Sequence, residues 1–292
     1  MNPMIMRGMH NTAVPIISAN IEATMWRGYR PFMGCGESGP VTIVGAAPSL
    51  AATYKRISGD VIACNSAHDF LIKNGIVPKY AMIWDANPVM EQIVHPHRGV
   101  KYLIASRCHE TVFKKFEGYD VTVWHALGDD HLDWILKRYK KNEHTVCGGT
   151  SSVTRAMFIA ADLGYRGAIH LHGVDGSYAS NGDTHVLGSV VRQDKFRIMV
   201  CGKMFSVAPW MALQGDDFKV IVPIFKYNGF SITVHGTGLI PYCASFLGCE
   251  TPDLKVGWLE KNIRRPLGSL QALYTLLRKS PQLLGGLSHA GI

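Results

Sequence analysis

The chain has 292 residues, with 30 Lys plus Arg against 22 Asp plus Glu, a formal charge of +8, 47% hydrophobic and 18% charged residues. That balance excludes a disordered chain and suits one large domain or two modest ones. No apolar run approaches ~18 residues, which excludes a transmembrane helix, and the opening MNPMIMRGMHNTAVPII is too broken by Asn, His and Pro for a signal peptide. Seven scattered cysteines, odd in number and without a CxxC pair, indicate neither zinc nor a disulfide framework, so a reduced, cytoplasmic protein is expected.

In chain order, residues 1–40 form a lead-in with one helix from Val14 to Arg27 and a turn-rich stretch, GYRPFMGCGESGP. From Val41 short apolar runs alternate with amphipathic segments. VTIVG is a strand and SLAATYKRI a helix; DVIAC is a strand and SAHDFLIKNG a helix closed by Gly75. YAMIW, KYLIA and YDVTVWH are further strands, and HLDWILKRYKK is a helix. SSVTRAMFIAADLGYRG is an amphipathic helix stopped by Gly164, AIHLHGV a strand, residues 206–226 a helix broken near Gly215, and FSITVHG a last strand. This alternation predicts an α/β, Rossmann-like domain over residues 41–250, a mostly parallel sheet with helices on both faces.

Residues 251–292 form a basic tail, with six Lys or Arg against two acids, which holds half of the excess charge. Leu267, Leu270, Leu273 and Leu277 recur at near-helical spacing, so the tail is expected to be a helix packed on the domain or on a second subunit of a homo-oligomer. Helix-turn-helix, zinc and RNA-binding signatures are lacking and the tail has few aromatic residues, so nucleic acid is not an expected partner.

In such sheets ligands bind beyond the carboxyl ends of the strands. The residues there are Gly45, Asn65, Asp85, Ser106, His125, Asp175 and Gly236. At Gly45-Ala-Ala-Pro48-Ser49, free N–H groups of a helix start and the Ser49 hydroxyl could receive phosphate oxygens, or Ser49 could simply cap the helix. Asn65 offers an amide for base or ribose recognition, or caps the helix that follows. Asp85 could hold Mg²⁺, bind a ribose, or cap a turn with Asn87-Pro88. Gly148-Gly149-Thr150-Ser151-Ser152 opens the amphipathic helix and is a second candidate anion cradle. Asp175 is a second edge carboxylate. His185, on the loop beyond it, is a candidate general base or phosphate contact. His170 and His172 share a strand face and read as structural. HGTGL at 235–239 closes over a ligand or forms a tight turn. Neither GxGxxG nor GxxxxGK[ST] occurs.

GAAPSL at 45–50, CNSA at 64–67, the stretch Pro78–Asp85, GGTSS at 148–152, LGYRGAIHLHGVD at 163–175, Thr184-His185 and HGTGL occur in one order. Together they resemble the MptE-like proteins, named for an archaeal 6-hydroxymethyl-7,8-dihydropterin pyrophosphokinase, over roughly residues 15–245. The resemblance implies a Rossmann-like fold and transfer of diphosphate from ATP to a pterin hydroxymethyl group with Mg²⁺. Gly45, Pro48 and Ser49 would then border the nucleotide phosphates, with Gly149, Thr150 and Ser151 as the second cradle. Asn65 would read ribose or base, and Asp85 and Asp175 would position Mg²⁺. Similar motifs occur in bacterial sialyltransferases and motility accessory factor glycosyltransferases, which implies as an alternative a nucleotide sugar at the same edge, with His185 the candidate for the sialyltransferase base. A non-catalytic nucleotide-binding or assembly module is the third reading. Ala47 stands where the family usually has glycine and adds bulk where backbone would approach a phosphate.

Overall fold

The computed structural model describes residues 12–129, 131–188 and 195–254. Helix α1 (Val14–Thr24) leads through β1 (Arg30–Pro31) to β2 (Val41–Val44), α2 (Leu50–Thr53), β3 (Asp60–Cys64), α3 (Ala67–Lys73) and β4 (Tyr80–Ile83). Next come α4 (Met90–Ile93), β5 (Lys101–Ala105), α5 (Glu110–Lys115), β6 (Val121–Ala126), α6 (Leu132–Arg138) and β7 (Thr145–Val146). The chain continues through α7 (Ser152–Leu163), β8 (Ala168–His172), β9 (Phe196–Val200), β10 (Lys203–Val207), α8 (Pro209–Tyr227), β11 (Ser231–Val234) and α9 (Leu239–Phe246).

The main sheet has the order β1-β6-β5-β4-β3-β2-β8-β11, with β7 also on β6, and every pairing in it is parallel. The chain walks outward from β2 to β6, then returns through α7 to β8 on the other side of β2. The β2–β8 junction is therefore the switch point, where crossovers leave in opposite directions and a crevice opens. Burial explains why these strands read as continuous apolar runs. Val41, Ile43, Ile62 and Cys64 pack with Val153, Met157 and Ala160 of α7 on one face. Val44, Val61 and Ala63 pack with Leu50 of α2 and Ala67, Phe70 and Leu71 of α3 on the other. Alternate residues of one strand thus reach different helical layers, as a sheet covered on both faces requires. The lead-in joins this body: α1 packs on α6, and Phe32 enters the main core.

Helix α7 begins and ends where its sequence says. Ser151 accepts the Thr154 N–H, the Thr154 hydroxyl accepts the Ser151 N–H, and Gly164 closes the helix with a φ of 111°. Three differences from the sequence reading have physical reasons. Helix α8 runs unbroken through Gly215, because one interior glycine costs only about 1 kcal/mol and Met211, Ala212, Phe218 and Ile221 beside it are buried. Its expected first residues belong instead to the antiparallel hairpin β9–β10, whose Cys201-Gly202 turn takes φ values of 45° and 81°. The glycines after β11 open α9 rather than only turning the chain. Among the described residues no helix is long and apolar enough to cross a membrane. The helix expected around Leu267–Leu277 lies outside the described residues.

Candidate functional site

At the switch point the two strand ends touch. Gly45 donates its N–H to His172 O at 2.8 Å, and Ala47 donates to Gly173 O at 3.0 Å. A Cβ on Gly45 would lie 2.5 Å from Gly173 O and 2.8 Å from the Val153 side chain. Gly173, with a φ of 62°, faces the Gly45 carbonyl equally closely. The Ser49 N–H and hydroxyl both donate to Asp175, the N–H at 3.0 Å to Oδ2 and the hydroxyl to Oδ1. Gly236 and Gly238, at φ of 103° and 132°, bring the β11–α9 turn over this pair, where a Cβ on Gly238 would lie 2.6 Å from Asp175 O. The GAAPS, GVD and HGTG motifs therefore meet as one packed knot. Its N–H groups at Gly45, Ala47 and Ser49 serve the protein itself, and Pro48 has none. Ser49 spends its hydroxyl on Asp175 rather than on a cap of α2.

The second motif is built differently. Thr150 donates its N–H and hydroxyl to Asp217 Oδ2 of α8, each at 2.5 Å. Gly149 permits that approach, since a Cβ there would lie 2.7 Å from the same carboxylate. Gly148, at a φ of 154°, lies against Arg155. With the Thr154 N–H capped by Ser151, the N–H groups of Ser152 and Val153 find no acceptor among the described residues. Two backbone donors at a three-turn helix start thus remain open beside the crevice.

That crevice is a cavity of about 750 Å³ along the carboxyl edge of β3–β6, and a second of about 120 Å³ over the β2–β8 junction shares some of its lining residues. Asn65, Asp85, Thr150 and Arg155 line the larger, Gly45 and Asp175 line the smaller, and Ser151 and His185 line both. Pro48, Ser49 and Gly149 line neither, and act through the contacts above. Buried cations stand in the wall of the larger cavity. Arg107 is ion-paired to Asp129 at 2.6 Å, and both are buried. Arg155 donates to the carbonyls of Leu127, Val146 and Gly149, and burial pulls its pKa down to about 10. Their guanidinium carbons lie 5.3 and 5.1 Å from the Trp84 ring centre.

The titratable groups divide by environment. Burial pushes Asp175 and Asp217 up to about 6 against the opposing hydrogen bonds from Ser49 and Thr150. His185 stands at the solvent-reached mouth, bonded through Nδ1 to the Thr184 hydroxyl at 2.8 Å, and the enclosing walls lower its pKa. Asn65, at a φ of 49°, accepts the Trp84 N–H at 3.2 Å and ties the ends of β3 and β4 together rather than capping α3. Asp85 accepts the Asn87 N–H at 2.9 Å, the turn contact its sequence allows. Mg²⁺ takes hard oxygen ligands, commonly one or two ionised carboxylates. Asp175, bonded to Ser49 through both oxygens and raised in pKa, does not fit that role, and it lies in a different cavity from Asp85. Among the described residues no group of three or more His, Cys, Asp or Glu is gathered as a metal site.

Sequence reasoning missed Trp84, Arg107, Asp129, Arg155 and the α8 residues Trp210, Gln214 and Asp217. Two had a signal. Arg107 lies just past the KYLIA strand, beside the Ser106 that was picked out, and Arg155 interrupts the apolar face of its helix between Val153 and Met157. His125 lines neither cavity and is bonded to Ser106 and Glu143, each at 2.8 Å.

Comparison with curated proteins finds no match. Among solved structures, a MAf glycosyltransferase from Magnetospirillum magneticum AMB-1 superposes with a TM-score of 0.58 at 18% identity, over 95% of this chain and 43% of that one. The likeness is one of fold, and this chain spans less than half the length of that protein. The family model described as 6-hydroxymethylpterin diphosphokinase MptE-like matches residues 19–181, more than half of the sequence and all of the motifs from GAAPS to GVD, and the chain belongs to this MptE-like family.

Proposed function

We propose that the chain is a nucleotide-dependent transferase, which binds an activated nucleotide in the neighbouring cavities of the carboxyl edge and passes a group to a hydroxyl on a small-molecule acceptor. The observation that carries this reading is the start of α7. Open N–H groups at Ser152 and Val153, the helix dipole and the buried Arg155 guanidinium place positive charge at the carboxyl edge of a parallel sheet, while Arg107 is paired with Asp129 in the same wall. Such a wall suits a nucleotide phosphate, and preorganised donors stabilise charge that grows on a leaving phosphate.

Two donors come into question. A nucleotide sugar is favoured by the carboxylates, because Asp85 and Asp175 line different cavities, Asp175 is held by Ser49, and the leaving charge would fall to the backbone donors and Arg155. The name of the structural neighbour agrees with that donor. Diphosphate transfer from ATP to a pterin-type hydroxymethyl group is the second reading, supported by the family's description. A thermal-shift panel of ATP, CMP and UDP, with and without Mg²⁺, separates them. CMP or UDP is expected to raise Tm more than ATP and without need of Mg²⁺; saturation a hundredfold above Kd adds about 2.7 kcal/mol of stability. Stabilisation by ATP alone, and only with Mg²⁺, would replace the first donor by the second. No shift with any nucleotide at millimolar concentration would leave a non-catalytic module.

A further inference from the structure

The larger cavity holds a histidine–carboxylate pair outside every motif singled out in the sequence. Asp69, on the first turn of α3, lines the cavity together with His95, which follows α4. His95 Nδ1 lies 2.6 Å from Asp69 Oδ2, and the His95 backbone N–H donates to Oδ1 at 2.9 Å. The buried His68 holds the same carboxylate from behind, with Nδ1 2.8 Å from Oδ1 and Nε2 3.1 Å from the Tyr102 hydroxyl. Tyr102 is pinned in turn by the His97 N–H at 2.6 Å. A carboxylate that must accept at both oxygens fixes the proton of His95 on Nδ1 and leaves the lone pair on Nε2. His95 keeps its ring largely exposed, at 65%, so substrate and solvent reach that nitrogen.

We infer that His95 is the catalytic base of the proposed transfer and that Asp69, backed by His68 and Tyr102, is its positioning residue. The inference rests on the transferase reading and names a base for it. His95 Nε2 takes the proton of the acceptor hydroxyl as the acceptor oxygen bonds to the electrophilic centre of the donor. The bond from that centre to the nucleotide phosphate oxygen breaks, and its electron pair leaves with the phosphate. The imidazolium then gives its proton to solvent at the rim. Asp69 is suited to this duty: burial works against its charge, yet the hydrogen bonds from His68 and from the His95 backbone and ring hold its pKa below the ordinary value. Among the described residues, the ring of His185 is bonded to the Thr184 hydroxyl and to no carboxylate that would set its tautomer.

The test uses the full chain with CMP-sialic acid or UDP-glucose as donor, glycerol as acceptor, nucleotide release read by chromatography and donor affinity by calorimetry. His95→Ala removes an exposed ring and is expected to lower kcat at least 100-fold, as loss of a general base does, with donor affinity within threefold of wild type. In Asp69→Asn the amide oxygen stays with the His95 and His68 donors at Oδ1, so the NH₂ faces His95 Nδ1 and turns the tautomer over. ¹⁵N NMR of histidine-labelled protein is therefore expected to show His95 protonated on Nδ1 in wild type and on Nε2 in Asp69→Asn, with kcat reduced. A His95→Ala enzyme with wild-type kcat, or a wild-type His95 protonated on Nε2, overturns the assignment while leaving the transferase reading in place. A wild type that binds none of CMP-sialic acid, UDP-glucose and ATP with Mg²⁺ overturns both.

Discussion

A single serine ties an edge carboxylate of this chain into its fold. Ser49 gives Asp175 both of its protons, and those two bonds oppose a burial that has already pushed the carboxyl up to about 6. Asp175 therefore ionises between the slightly acidic and neutral range, and its charged form needs Ser49 more than its neutral form does. Ser49→Ala is expected to cost about 1–3 kcal/mol at pH 8, where a buried charge loses a donor, and clearly less at pH 5, where the carboxyl is protonated. Urea melts at the two pH values check this, and an equal loss at both would remove Asp175 ionisation from the account. The edge residues were legible because apolar runs end where polarity begins, so Asp85, Asn65 and Thr150 could be named as lining the site. Their partners were not. Asp217 meets Thr150 across 67 positions and Ser49 meets Asp175 across 126, so only the folded chain brings them together. Asp69 and His95 stayed hidden for the same reason, since nothing local marks a pair 26 residues apart.

Between elements, the β2–β8 junction is a place of close backbone approach. Gly173 has a φ of 62° and meets the Gly45 carbonyl, so an added methyl faces both a left-handed backbone and unyielding main chain. Left-handed geometry costs a side chain about 1–2 kcal/mol, and overpacking adds about 1–3. Gly173→Ala should therefore lose about 2–5 kcal/mol, which at about 2–4 °C per kcal/mol is a fall in Tm of roughly 4–20 °C in a thermal melt. Gly59→Ala, also at positive φ but with open space around its Cβ, should lose only the backbone part. Equal losses at the two glycines would mean that the close approach adds nothing. The same contrast shows what the sequence disclosed about the fold. Buried parallel strands announce themselves as VTIV, VIAC and YAMI, and α7 carries its own cap and stop, so the sheet and its main helix were readable in place. The hairpin β9–β10 was not. It carries Arg197 and Lys203 among its apolar residues, and its turn at Cys201-Gly202 puts a cysteine, which gives no turn signal, in the first left-handed position.

The response of the whole molecule to acid is set by groups that pull in opposite directions. His172 is 1% exposed and stacked on His235 at 4.0 Å, and burial, followed by the neighbouring charge of His235, lowers its pKa to about 3. A histidine depressed in the fold stabilises it above the unfolded pKa of about 6.5 and loses that stability as pH falls toward the folded value. From pH 7 to pH 5 this loss is about 2 kcal/mol. Asp175 and Asp217 act the other way, because a carboxyl raised to about 6 binds its proton in the fold before the unfolded chain does. Each returns about 1 kcal/mol over the same interval. The two carboxyls therefore offset the His172 loss, while His125, His185 and His235, whose pKa burial also lowers, add to it. His172→Phe keeps a ring in the stack, removes the histidine part, and leaves both carboxyls. Urea melts at the two pH values should then show the variant gaining about 2 kcal/mol relative to wild type on going from pH 7 to pH 5. A variant that follows the wild-type profile would show that His172 takes up its proton inside the fold and that the stack opens to admit it.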